Sequence, residues 1–204
     1  MLFDDTYKTI SASAEGIYKE KGSKFIAFAF PVKSEMEIKE HILRLRKEHH
    51  SARHHCYAYR LHSDKSVYRM NDDGEPSGTA GKPIYGQIQS NDLTNILIVV
   101  VRYFGGTLLG VSGLIKAYRN ATIDAISYSE IITKTINEVY LVTCNYEFQN
   151  EVIKIIKQED LKIINNQSRE RFIMTFEVRK SKADKVINLI KFIPDCDIKF
   201  IEIV

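Results

Sequence analysis

The segment Asn95 to Tyr103 (NILIVVVRY) limits what this chain can become more than any other stretch. Its aliphatic and β-branched residues run on without polar alternation, which predicts a strand covered on both faces. A glycine-rich turn, FGGTLLGVSG, follows and leads into a helix from about Val111 to Tyr128. Upstream, Lys24 to Val32 (KFIAFAFPV) is aromatic and β-branched at strand length, punctuated by Pro31 and Ser34. Ser34 reads as an N-cap with Glu37 closing a capping box, and Met36, Ile38, Ile42, Leu43 and Leu45 keep mostly helical spacing to about His49. His55 to Leu61 and Ser66 to Met70 read as two further strands. Asn71 to Lys82 (NDDGEPSGTAGK) is polar and rich in Gly and Pro, so it reads as loop.

Near residue 130 the pattern changes. Ile131 to Thr143 is strand-like, and Glu147 to Glu159 is helical with Val152, Ile155 and Ile156 on one face. Leu161 to Asn165 is a short strand, and Asn165-Asn166 turns the chain into Arg169–Arg179, where Phe172, Met174, Phe176 and Val178 alternate with the opposite face. Ser181 and Asp184 repeat the capping spacing ahead of a helix, Pro194 stops it, and Ile198 to Val204 forms a last strand. The order β-α-β-β-α-β is the ferredoxin-like split motif. An α+β protein of two domains, 1–130 and 131–204, is expected. A length of 204 residues accommodates this, at roughly 100–200 residues per domain or less.

Composition excludes several classes. Apolar content of 44% with 27% charged residues is globular rather than disordered, and the net charge of +3 is too mild for a chain coated in nucleic acid. The three cysteines, Cys56, Cys144 and Cys196, stand far apart and form no disulfide framework. Acids in the opening MLFDDTYKTI argue against a signal peptide, and the apolar run Ile96 to Val101, at six residues, is far short of the roughly 20 that span a bilayer. A cytoplasmic protein without a membrane partner is expected. All six histidines precede residue 63, and nothing after residue 130 is His or Gly, so special chemistry belongs to the first domain.

Within it, Asp72, Asp73 and Glu75 crowd three carboxylates onto a loop. They read either as a hard-cation or cationic-partner site or as a solvated Asp-Gly turn. The continuation Ser77-Gly78-Thr79-Ala80-Gly81-Lys82 offers glycines, hydroxyls and a positive charge to an anion. Gly105 and Gly110 have P-loop spacing, but Val111-Ser112 stands where that motif requires Lys-Ser or Lys-Thr, so a nucleotide triphosphatase is not expected. The turn reads equally as a device for close helix–strand packing. The pairs His49-His50 and His54-His55 point to opposite faces of a strand, so no metal is expected, nor is Cys56 expected to be a nucleophile. In the second domain Arg169, Arg171, Arg179, Lys180 and Lys182 cluster on a hairpin and helix start. They read as an open basic sheet face for RNA or as solvated charge.

The blocks NDDGEPSGTAGKPI (71–84) and VVVRYFGGTLLGVSGLIKAY (99–118), with KGSKFIAF (21–28) and ARHHCYAY (52–59), closely resemble the YigZ/IMPACT family, in particular its bacterial two-domain members. The resemblance implies a ribosomal protein S5 domain 2-like N-terminal domain. It also implies that the ferredoxin-like C-terminal domain is similar to the last domain of elongation factor G. It carries over a surface of Arg53, His54, Asp72, Asp73, Glu75, Thr79, Gly81, Lys82, Arg102, Gly105, Gly106 and Gly110 as ligand-binding residues. It brings no established catalytic chemistry, no cofactor and no metal. Because eukaryotic relatives regulate translation, a non-enzymatic, translation-associated protein that binds RNA, the ribosome or a translation factor is expected. The alternative is a phosphoester- or nucleotide-directed enzyme, with the acidic loop holding a divalent cation beside Lys82 and Arg102.

Overall fold

A strand whose run Ile96 to Val101 is wholly apolar needs apolar cover above and below, and the fold supplies both layers. The structure, a computed structural model, describes residues 5–167 and 170–204. It divides into two units, Tyr7–Lys134 and residues 5–6 with Thr135–Val204. The division falls beyond residue 130 because the strand after that point pairs back onto the start of the chain.

The first unit runs β1 (Thr6–Ile10), β2 (Ala14–Glu20), β3 (Ser23–Pro31), α1 (Glu35–Glu48), β4 (His54–Leu61), β5 (Val67–Asn71), α2 (Gly81–Ser90), β6 (Ile96–Tyr103), α3 (Gly110–Ser127) and β7 (Ile131–Thr135). Strands β2-β3-β6-β4-β5 form one antiparallel sheet, and β1 pairs with β7 in a second. On one face Phe25, Ala27, Ile98 and Val100 pack with Ile84 and Ile88 of α2 and Leu114 and Ala121 of α3. On the other, Ile26, Phe28, Leu97 and Val99 pack with Ile38 and Leu45 of α1. An antiparallel sheet sandwiched in this way explains the unbroken apolar run of β6. The capping box of α1 is formed, with the Glu37 N–H donating to Ser34 Oγ and the Lys33 N–H to Glu37 Oε2.

Two glycines permit close approaches that no side chain would. A Cβ on Gly16 of β2 would lie 2.2 Å from Ala125 N in α3, and one on Gly105 would lie 1.9 Å from the carbonyl carbon of Gly22. The sheet therefore packs directly on the α3 backbone, and the turn after β6 rests on the β2–β3 turn. Helix α2 occupies a segment whose start was expected to be loop. Gly81, Pro83 and Gly86 hide its helical character in sequence, but Pro is tolerated in a first turn.

The second unit comprises β8 (Asn137–Cys144), α4 (Gln149–Gln158), β9 (Lys162–Asn166), β10 (Phe172–Arg179), α5 (Lys180–Lys191) and β11 (Asp197–Ile203). Its antiparallel sheet has the order β11-β8-β10-β9, the ferredoxin-like arrangement. Tyr140, Val142, Phe172, Met174 and Phe176 face Val152 and Ile156 of α4 and Val186 and Ile190 of α5. The single strand expected over 131–143 is two, broken at Ile136, whose N–H donates to the Asp5 carbonyl and whose carbonyl accepts from the Lys180 N–H. Helix α5 begins at Lys180 with no side-chain cap on its own segment. The expected cap, Ser181, instead hydrogen-bonds the Asp5 carboxylate, which also accepts from Arg179. Among the described residues no helix is long and apolar enough to cross a membrane.

Candidate functional site

The acidic loop is held from within. Asp72 lies just past the end of β5, and its carboxylate accepts the Gly78, Ala80 and Gly81 N–H groups at 2.9, 3.0 and 2.8 Å. It thereby caps α2 from a distance in sequence. Asp73, at φ +41°, accepts Arg46 Nη2 and the His55 N–H, both at 2.7 Å, and its carbonyl lies 2.8 Å from His54 Nδ1. Glu75 turns inward: its Oε1 accepts Arg102 Nη1 and Tyr118 Oη, both at 2.7 Å, with the side chains of Glu75 and Arg102 only 3% and 7% exposed. Thr79 is buried and donates to the Pro76 carbonyl. The three carboxylates therefore do not converge on a cation, and no cluster of metal-ligating side chains exists among the described residues.

Cys56 lies beneath this loop, its Sγ 3.0 Å from the Asp72 carbonyl and 3.3 Å from Tyr118 Oη. Burial pushes its thiol well above the usual range, so the thiolate that a nucleophile needs is disfavoured. The histidines diverge as well: His49 Nδ1 pairs with Tyr103 Oη at 2.8 Å, while His54 is engaged by Asp73.

Two concavities of the first unit gather the expected residues. The first, of about 460 Å³, opens where β6 turns into α3 and is lined by Arg53, His54, Glu75, Arg102 and Gly110, together with the apolar Phe104, Leu108 and Val111. The second, a groove of about 760 Å³, runs along β5, α2 and α3. It takes Lys82 away from the first and sets it among Tyr68, Met70, Tyr85, Gln89 and Arg119. Tyr68 and Tyr85 stack with centroids 5.0 Å apart, and among the described residues no acidic side chain lines the groove. The expected surface thus splits. Asp72, Asp73, Thr79 and Gly81 build the scaffold, and Gly105 and Gly106 form the turn. Sequence reasoning missed Tyr68, Tyr85 and Arg119. Reading α2 as helix would have placed Lys82, Tyr85 and Gln89 at i, i+3 and i+7 on one face.

The basic residues of the second unit do not form one face. Arg171 donates to the Asp195 carbonyl at 2.9 Å, and Arg179 holds Asp5 through two hydrogen bonds. Lys180 and Lys182 project from α5 rather than from the sheet. The open face of β10 carries Ile173, Thr175, Glu177 and, at its end, Arg179, with Glu177 paired with Lys162 at 2.9 Å. Arg169 lies outside the described residues.

A sandwiched antiparallel sheet with a glycine-braced loop over a buried Glu–Arg–Tyr network, followed by a ferredoxin-like unit, defines a two-domain class of α+β protein. A family model described as Impact N-terminal domain matches residues 21–126. The IMPACT family member YigZ of Escherichia coli (strain K12) is 37% identical over 148 residues, 72% of each chain. YvyE of Bacillus subtilis (strain 168), another member, is 29% identical over 180 residues, 87% of this chain and 83% of that one. A crystal structure of a hypothetical protein, 30% identical, superposes over 97% of this chain and 98% of its own with a TM-score of 0.74. The chain belongs to the IMPACT family.

Proposed function

We propose that the protein is a translation-associated regulator that binds single-stranded RNA in the groove of β5, α2 and α3. The observation that carries this reading is the stacked Tyr68–Tyr85 pair flanked by Lys82 and Arg119 in a groove that no acid lines among the described residues. Every base offers a π-face to an aromatic platform, and cations beside it track the phosphates. Tyr68 is 54% exposed, so its ring is open to a base. The link to translation rests on the resemblance to a family whose eukaryotic relatives act there. An enzymatic reading has less support, because Asp72 and Asp73 are spent on the scaffold.

The test is fluorescence anisotropy with a labelled single-stranded RNA across a salt series. Tyr68→Ala is expected to weaken binding by about 1–3 kcal/mol, the value of one stacked base. Lys82→Ala and Arg119→Ala should each lower the slope of log K against log salt by about 0.7. Binding that ignores salt, or that survives Tyr68→Ala at full strength, would overturn the assignment.

A further inference from the structure

The cleft at the start of α3 lies outside the proposed RNA groove, and its chemistry is of another kind. Its rim and walls are apolar: Phe104, Leu108 and Val111 are 51%, 83% and 59% exposed around it, with Leu114 buried behind them. Large apolar side chains left in water at the mouth of a concavity mark a surface that takes an apolar body. A volume of about 460 Å³ suits a small molecule rather than a protein segment.

The polar groups at the same place call for negative charge. Helix α3 is 18 residues long and starts in the cleft, with Gly110 and Val111 in the lining. Among the described residues no side chain caps it, and no acid stands in its first turn. Its first N–H groups thus present the positive end of the helix dipole to the cleft. Arg102 supplies an independent sign. It is 6% exposed, lines the cleft, and its Nε has no hydrogen-bond partner among the described residues, although Nη1 is held by Glu75. A buried guanidinium nitrogen without an acceptor is costly, and its uncompensated donor adds positive potential at the cleft wall. Arg53 also lines the cleft, exposed, with no ion pair or hydrogen bond among the described residues. Phe104 leans over Arg102, its ring centroid 5.6 Å from Cζ, so the apolar wall and the charge are joined.

The charge balance selects the ligand. Arg102 is offset by Glu75, whose carboxylate is part of the floor and would repel a second dense charge. One unpaired arginine and one helix N-terminus remain. That suits a single delocalised negative charge, whereas a phosphate dianion would meet Glu75 with too little compensation.

We propose that this cleft binds a small organic monocarboxylate with an apolar body, its carboxylate on Arg53 and the first N–H groups of α3 and its body against Phe104, Leu108 and Val111. Gly110, at φ +70° with open space where a Cβ would stand, lets the carboxylate reach the helix terminus.

The experiment titrates the full chain with phenylacetate, phenylacetamide and phenyl phosphate, following amide chemical shifts and fitting Kd. Phenylacetate is expected to bind in the millimolar range or tighter and to move the amides of Val111, Ser112 and Gly113. Phenylacetamide should bind about tenfold more weakly, the share of a charge-assisted contact. Arg53→Ala removes an exposed, unpaired side chain, so the fold is kept while phenylacetate affinity falls by about tenfold. Val111→Asp places an acid in the first turn of α3. It should leave the helix at least as stable, because the acid complements the dipole, and still abolish phenylacetate binding. Equal affinity for phenylacetate and phenylacetamide would overturn the proposal. Shifts confined to other parts of the chain, or no binding of any probe, would do the same. Tighter binding of phenyl phosphate would replace the monoanion with a phosphate ester. RNA binding in the groove should be unchanged by Arg53→Ala, so the two assignments stand or fall separately.

Discussion

Glu75 Oε1 accepts two hydrogen bonds, one from Arg102 Nη1 and one from Tyr118 Oη, and both side chains of the ion pair are buried. Such a pair adds little net stability when complete, because its attraction mainly repays desolvation. Breaking it is a different matter, since the survivor is a buried, uncompensated charge. Glu75→Gln is therefore expected to cost about 3–5 kcal/mol, measured as a lower urea midpoint by circular dichroism. Tyr118→Phe keeps the ion pair and loses one donor to a charged acceptor, so its cost should be about 1.5–3 kcal/mol. A loss below about 1 kcal/mol in Glu75→Gln would mean that water reaches the pair after all. Nothing in the sequence marks Glu75 as different from Asp72 and Asp73 beside it. The chain supplies three adjacent carboxylates, and only the packing of β6 and α3 turns one of them inward.

At the scale of elements, the loop 72–80 and helix α2 act as one piece. Asp72 takes two N–H groups at the start of α2 and a third, from Gly78, in the loop before it, where an ordinary N-cap side chain takes one. Asp72→Ala is expected to lower stability by about 2–3 kcal/mol, the top of the capping range or slightly beyond it. Hydrogen exchange should locate the loss in the first turn of α2. Because Lys82 and Tyr85 ride on that helix, RNA affinity should fall with it while the salt slope stays the same. A uniform rise in exchange across the sheet would contradict this picture. The elements with strong local signatures were legible: β3, β6, the α1 capping box and the alternation of β10. Helix α2 was not, because its cap lies nine residues away and its Gly81, Pro83 and Gly86 read locally as loop. The start of α5 was misplaced for a related reason, since the Asp5 carboxylate comes to it from the other end of the chain.

For the whole molecule, the uneven placement of histidine makes the two units respond differently to pH. Burial, and then the Arg46 charge, holds His55 below its ordinary value of 6.5; burial, and then Arg44, does the same to His41. Both are neutral in the fold at a pH where the unfolded chain already takes up protons. Their contribution is complete above 6.5 and declines as the pH falls below it. Asp5 works in a lower window. The hydrogen bonds from Arg179 and Ser181 hold its carboxyl far below the usual 3.8, so its contribution persists until stronger acid. Between about pH 7.5 and about pH 5, amide protection should therefore fall in residues 7–134 and hold in residues 135–204. His55→Gln should flatten the first response, and an equal loss in both units would refute the assignment. The sequence alone determined the classes of element, the sandwiched central strand, the βαββαβ order and the segments where chemistry concentrates, because hydrophobic period and turn chemistry are local. Only the tertiary structure decided which polar side chains are spent on the scaffold and which line a concavity. It moved Lys82 into the groove with Tyr68 and Arg119 and left Arg53 unpaired beside α3. Those outcomes depend on which backbone N–H groups and which charges the fold brings within reach of each side chain, and no spacing along the chain encodes that.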